Sequence, residues 1–251
     1  MSEKFARLSE LVRFLRSEKG CPWDRAQTID SLKPHLIEEM YEAVEAIEDE
    51  DTERLREELG DVLFLILFTA RIAEEDGKFS IDDVLSETHD KMKGRHPHVF
   101  KAKERLEPGQ VLDRWEKAKK REKKGGESVL SGIPRSLPAL IKAQRIQQRA
   151  ASLGFDWDNI DDVFAKIKEE LREFEEEYAG EKGERIAEEL GDILFAVVNV
   201  SRFLDIRAED ALNATIEKFK RRFAEVEKEI SRRGSMTLAE MDQIWEKSKE
   251  K

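Results

Sequence analysis

Seven positions of this chain occur twice with one spacing, and most of them carry carboxylates. Glu38, Glu39 and Glu42 precede Glu57, Glu58, Gly60 and Asp61; Glu169, Glu170 and Glu173 precede Glu188, Glu189, Gly191 and Asp192. Each copy reads E-E-x-x-E, a gap, then E-E-L-G-D and an apolar run. The gap is the same in both (58 − 39 = 19 and 189 − 170 = 19), and every position is displaced by 131 (170 − 39). On a helix, side chains three and four apart share a face. Glu39 therefore joins Glu42 and Glu58 joins Asp61, as Glu170 joins Glu173 and Glu189 joins Asp192. If the two helices of a copy pair antiparallel through a short connection, near Asp49 to Thr52 in the first, four carboxylates converge. Such a group repels itself unless cations neutralise it. Oxygen-only donors suit a hard ion, and Mg²⁺ usually keeps waters and substrate phosphates in its shell.

The competing reading is a solvated acidic face. The neighbours argue against it. Leu36, Met40 and Ala43 flank Glu39 at helical spacing, and Leu55, Leu59, Val62 and Leu65 flank Glu58 and Asp61. The acids thus border an apolar stripe, where carboxylates without partners are costly. Two further features repeat: a Lys and an Arg four apart (Lys91 and Arg95; Lys218 and Arg222) and a Trp beyond them (Trp115; Trp245). Carboxylates for Mg²⁺, cations for phosphate oxygens and an indole that stacks on any base describe a nucleotide site. Cys21 is a lone thiol without a paired His and reads as structural, as do His96 and His98 on either side of Pro97. The basic run from Lys117 to Lys124 reads as a solvated helix end.

The elements that must position these groups are helical throughout. Helices are expected over Phe5–Glu18, Leu32–Glu48, from an Asp51/Thr52 cap to Glu75, Ile81–Gly94, Val111–Lys123, Leu140–Ser152, Ile160–Tyr178, Glu184–Leu204, Ala208–Ile230 and Leu238–Lys249. Cys21 to Asp24 reads as a loop. The segment from Val62 to Phe68 is apolar all round, which implies burial on every side and hence a dimer or domain interface. No stretch reads as a strand. The class is all-α, with two tandem helical bundles: residues 1–124, a Gly- and Pro-marked linker 125–138, and residues 139–251. In 251 residues a repeat of this size favours two domains. A formal net charge of −11 speaks against a nucleic acid polymer as partner. The single cysteine allows no intrachain disulfide. No signal-peptide core is visible, and the longest apolar run, Val62 to Ala70, is roughly half a membrane span. A cytoplasmic protein without membrane contact is expected. The richness in Glu, Lys and Arg resembles thermophile usage.

The chain resembles the MazG family of nucleoside triphosphate pyrophosphohydrolases, within the all-α NTP pyrophosphatases. The matching stretches are C-P-W-D at Cys21, L-I-E-E-M-Y-E at Leu36, R-E-E-L-G-D at Arg56, R-H-P-H-V-F at Arg95, I-P-R-S-L-P-A-L at Ile133, G-F-D-W at Gly154 and E-E-L-G-D at Glu188. The resemblance implies cleavage of NTPs, ordinary or aberrant in base, to monophosphate and pyrophosphate, by attack of a metal-activated water on the α-phosphorus. It implies Mg²⁺ and a homodimer of tandem domains, and likens the second half to the catalytic domain. Glu170, Glu173, Glu189 and Asp192 would hold the metal there, and Glu169 and Glu188 would orient or deprotonate the water. Lys218 and Arg222, with Lys166 and Arg185 nearer the rim, would hold the triphosphate, and Trp245 would cover the base. By the same pattern the first half would use Glu39, Glu42, Glu58 and Asp61, with Glu38 and Glu57 beside them, and Arg54, Lys91, Arg95 and Trp115 for the nucleotide. His35 stands where the second half has Lys166, so the halves are expected to differ. A nucleotide-binding regulator without turnover and a hydrolase of alarmone-type nucleotides are the alternatives. A di-iron bundle is disfavoured, because neither E-E-x-x-E copy carries the Glu-x-x-His of that class.

Overall fold

A computed structural model describes residues 3–101, 104–107, 109–111, 114, 128–180 and 183–249. The chain divides into two compact units, residues 1–122 and 123–251. In the first, helix α1 spans Glu3–Leu15, α2 Pro22–Ala26, α3 Ile29–Glu48, α4 Thr52–Glu75, α5 Ile81–Arg95 and α6 Pro97–Phe100. In the second, α7 spans Ala139–Ala151, α8 Ile160–Ala179, α9 Gly183–Phe203, α10 Ala208–Arg233 and α11 Leu238–Ser248. Among the described residues there is no strand, and no helix is long and apolar enough to cross a membrane.

The acid-bearing helices form a hairpin in each unit, α3 with α4 and α8 with α9. Local chemistry sets the ends. Thr28 and Ser31 cap α3 reciprocally, and the Asp51 carboxylate accepts the backbone N–H groups of Glu53 and Arg54 to start α4. Between them Glu50 takes a left-handed backbone (φ 55°), which lets the chain reverse in three residues. In the second unit Asn159 caps α8 by accepting from the Asp162 N–H. Ser80 with Asp83 caps α5 and Thr237 with Glu240 caps α11, both as reciprocal capping boxes.

The first hairpin rests on a core of Val12, Leu32, Leu65, Leu67, Phe68 and Ile72. Arg16 ties the pieces around it. Its Nε and Nη2 donate to Glu75 at the end of α4 (2.9 and 2.7 Å), and its Nη1 donates to the Asp24 carbonyl in α2 (2.6 Å). That lashing fixes α2 against the hairpin. In the second unit α7 holds the hairpin through Gln147, whose amide donates to the Phe195 carbonyl (2.8 Å). Gln144 reaches the start of α10 by donating to the Ile206 carbonyl and accepting from the Ala208 N–H.

One sequence expectation changes. Residues 22–26 form a short helix, where a loop over Cys21–Asp24 was expected, because Pro22 at its first position has φ preset for a helical turn. The apolar segment of α4 buries Leu65, Leu67 and Phe68 within its own unit and leaves Ile66 41% exposed. Helices α1, α3 and α5 cover only part of its circumference. The helix expected over Val111–Lys123, with Trp115, lies largely outside the described residues, as does the start of the expected linker; the described remainder, 128–138, runs through turns.

Phe68 is 2% exposed. Phe68→Ala should therefore destabilise the protein by about 3–5 kcal/mol, measured as a lower urea midpoint; an unchanged midpoint contradicts this core.

Candidate active site

The hairpins bring the acids together. In the first unit one carboxylate oxygen each from Glu39, Glu58 and Asp61 lies within 4.8 Å of the others; in the second the same holds for Glu170, Glu173 and Glu189. Around one Mg²⁺, with oxygens at about 2.1 Å, opposed donors stand about 4.2 Å apart. Each trio therefore needs only a small closure to share an ion, and its all-oxygen donor set fits that ion. Two positions are common to both trios, Glu39 with Glu170 and Glu58 with Glu189. The third differs: Asp61 serves in the first unit, and Glu173, the counterpart of Glu42, in the second. Glu42 and Asp192 stand outside the tight trios but close enough to act on them. Burial pushes the Glu39 carboxyl above its usual range, reinforced by Asp61, Glu42, Glu58 and Glu38. Burial likewise raises Glu189, with Glu173, Asp192, Glu170 and Glu177 adding to it.

The most buried acid of each unit, Glu58 (8% exposed) and Glu170 (6%), has a cation of its own. Arg54 Nε donates to Glu58 at 3.4 Å, while the rest of its guanidinium reaches Glu45 and Asp49. Lys166 Nζ lies 2.7 Å from Glu170 and 3.1 Å from Glu169. The hydrogen bond to Glu170 holds the Lys166 ammonium well above its ordinary range. Arg185, the counterpart of Arg54, pairs instead with Glu177 (2.8 Å). His35, at the position of Lys166, lies 3.7 Å from Glu38 through Nδ1. Glu57 and Glu188 are exposed beside the trios.

A cavity of about 180 Å³ opens beside the first trio, lined by Trp23, His35, Phe64 and Phe68 together with Glu39 and Asp61. Trp23 meets His35 edge-on, with ring centroids 6.5 Å apart. Whole-ligand pockets run to roughly 300–1,000 Å³, so this one suits a single planar part of a ligand. Trp23 lies in the short helix α2, in a stretch whose sequence reads as a loop. Its only local signal is an indole just ahead of an acidic helix, and Arg16 bonding to Asp24 is what turns it toward the acids.

The Lys/Arg pairs occupy matching places on their helices. Lys91 lies eleven residues past the N-cap Ser80 (91 − 80) and Lys218 eleven past the N-cap Arg207 (218 − 207). Their offset is 127 (218 − 91) rather than the 131 of the acids, because α9 ends three residues sooner after its last acid than α4 does (203 − 192 against 75 − 61) and the connection that follows is one residue shorter. Lys218 sits in a run, residues 211–221, that is exposed throughout. Neither Lys218 nor Arg222 forms an ion pair among the described residues, so the structure leaves both off the acid trio. Arg95 is half-buried and Lys91 exposed. Trp245 packs on Phe219, beside Lys218 in the chain, with centroids 4.9 Å apart. Trp115 lies outside the described residues. His96 Nδ1 is 2.6 Å from the Met92 carbonyl, and His98 is buried.

Fold and site define a tandem all-α protein whose two helical hairpins each present a carboxylate trio with oxygen donors that fit a hard divalent ion. A profile of the MazG nucleotide pyrophosphohydrolase domain matches residues 27–100 and again 159–226, over the two hairpins. The chain is 43% identical over 252 residues to a nucleoside triphosphate pyrophosphohydrolase of Escherichia coli, covering 97% of this chain and 96% of that one. It is 42% identical over 250 residues to the nucleoside triphosphate pyrophosphohydrolase/pyrophosphatase MazG of Thermotoga maritima, covering 98% and 95%. A solved mazG-related protein from Thermotoga maritima is 30% identical, with a TM-score of 0.40, over 46% of this chain and 98% of that one. The chain belongs to the MazG family.

A pH effect follows from Glu39 and Glu189. Folding raises both carboxyls, so the folded chain binds protons that the unfolded chain has already released. Their ionised forms oppose folding at neutral pH, and that cost disappears as pH falls through the raised values. Without metal, the double variant Glu39→Gln/Glu189→Gln should melt higher than the parent at pH 7, with the gap closing on acidification toward roughly pH 4. A gap that is absent at pH 7, or widens on acidification, contradicts the assignment.

Proposed function

We propose that this chain hydrolyses nucleoside triphosphates to nucleoside monophosphate and pyrophosphate with Mg²⁺ at its acid trios, working as a homodimer. Membership in the MazG family and near-full-length similarity to proteins named nucleoside triphosphate pyrophosphohydrolases make it an enzyme of that class. The observation that carries the chemistry is the convergence of three carboxylate oxygens in each half within 4.8 Å.

Glu39, Glu58 and Asp61 in one half, and Glu170, Glu173 and Glu189 in the other, hold the ion, with Glu42 and Asp192 completing each set. Mg²⁺ bound there supplies charge neutralisation on phosphoryl oxygens and lowers the cost of ionising water. Glu38 and Glu57, or Glu169 and Glu188, orient the attacking water and accept its proton on a carboxylate oxygen. The water oxygen bonds to the α-phosphorus, the bond from that phosphorus to the bridging oxygen breaks, and pyrophosphate leaves with the electron pair. Arg54, Lys91 and Arg95, or Lys166, Arg185, Lys218 and Arg222, hold the triphosphate oxygens through charge-assisted hydrogen bonds. The base lies against Trp245 in the second half; in the first, the cavity of Trp23 and Phe64 receives it. Stacking on indole discriminates little between bases, which supports broad base tolerance.

The homodimer reading is supported by apolar stripes left open on the same helices. Ile37, Tyr41 and Val44 on α3 are each more than 40% exposed, as are Leu212, Ile216 and Phe219 on α10. Each set recurs at helical spacing, the pattern of a helix face that packs against another helix. Lys218 and Arg222 share α10 with the second stripe.

Glu173→Gln and Asp192→Asn should each cut Mg²⁺-dependent pyrophosphate release from a panel of NTPs by more than the roughly 10–100-fold seen for outer positions around metal sites. Glu39→Gln and Asp61→Asn should do the same for the first half. Near-normal turnover in a chain carrying all four changes rejects the proposal. Binding of nucleotide without pyrophosphate release marks a regulator, and release from alarmone-type nucleotides alone marks that substrate class.

A further inference from the structure

Each half pairs its most buried acid with one built-in cation, but the pairing is crossed. The first half neutralises Glu58 on α4 with Arg54; the second neutralises Glu170 on α8 with Lys166. Glu58 corresponds to Glu189 and Glu170 to Glu39 at the common offset. Their counterparts, Glu39 and Glu189, form no ion pair among the described residues, so the crossing extends to them. Helix chemistry alone does not explain Lys166, because a Lys four residues ahead of a Glu is the weaker orientation of an i,i+4 pair. What holds it is the burial of Glu170, whose side chain is 8% exposed and carries a charge that needs compensation. The contacts differ in kind. Lys166 places a compact ammonium 2.7 Å from Glu170 and 3.1 Å from Glu169. Arg54 reaches Glu58 only at 3.4 Å and shares its charge with Glu45 and Asp49.

We propose that Lys166 is a tethered counter-ion of the second-half trio. It neutralises Glu170 in the metal-free chain and must leave that carboxylate when a divalent ion loads, so the second half takes up metal less readily than the first. Once displaced, the ammonium is free to meet the triphosphate, so nucleotide and metal would load the second half together. This inference rests on the metal site of the preceding subsection. In the first half the ion pair of His35 is with Glu38 and not with a trio acid, and Arg54 can keep Glu45 after Glu58 is taken by an ion. That half would therefore load metal alone.

The test is Mn²⁺ binding to the full chain without nucleotide, followed by loss of the free-ion electron paramagnetic resonance signal. The parent should show two classes of site. Lys166→Met should tighten the weaker class by about tenfold or more, the order expected of one unit charge a few ångströms away near a protein surface. Lys168→Met, a charge deletion two residues away on the same helix, should change it less than about twofold. Lys166→Met should also melt lower than the parent without metal, because Glu170 is left buried and unpaired, and should match it at saturating Mn²⁺. Lys166→Gln is the second variant, should the Met form fail to fold. Weaker or unchanged Mn²⁺ binding in either variant, or a melting deficit that persists at saturation, overturns the counter-ion role. If instead the parent binds no Mn²⁺, and Glu173→Gln changes nothing, the metal site itself falls.

Discussion

Like charges held together in a half-buried place are the constraint that organises this molecule. Three carboxylate oxygens within 4.8 Å of one another repel, and two of the carboxyls involved, Glu39 and Glu189, are pushed toward protonation. The fold tolerates this because each hairpin supplies a partial remedy, a guanidinium on Glu58 and an ammonium on Glu170. Neither remedy is complete, because each trio keeps carboxylates that form no ion pair among the described residues. A hard divalent ion fills such a place better than any side chain, since it brings two charges and accepts several oxygens at once.

Much of the scaffold exists to impose that proximity. Reciprocal capping at Thr28, an Asp51 cap and the left-handed residue Glu50 make the first hairpin tight enough to put Glu39 opposite Glu58. The Arg16 lashing then draws α2 toward the same hairpin, which brings Trp23 to the cavity beside Glu39 and Asp61. In the second unit Gln144 and Gln147 tie α7 to α9 and to the start of α10. Lys218 and Arg222 lie farther along α10, in and just past a run with little cover. The acids are thus built on paired helices, and the proposed phosphate contacts lie on a more open one.

The acid constellation was legible in the sequence because its causes are local. Helical periodicity fixes which of Glu38, Glu39 and Glu42 face together, and a repeat at 131 residues is visible without coordinates. The cap of α4 was legible for the same reason: Asp51 carries its chemistry in its own side chain. What escaped depends on tertiary contact. The helix at Pro22–Ala26 and the turn of Trp23 toward the acids follow from Arg16, which sits in another element. The crossed pairing of Arg54 and Lys166 follows from which acid each hairpin buries deepest. His35 and Lys166 mark a difference between the halves in the sequence, but only the 2.7 Å contact to Glu170 shows what the lysine neutralises.

The most direct measurement is anomalous diffraction from crystals of the full chain soaked in Mn²⁺. A peak should appear between the carboxylates of Glu39, Glu58 and Asp61, and another between those of Glu170, Glu173 and Glu189. Absence of density at both places, with those side chains turned outward into solvent, contradicts a metal centre at the hairpins.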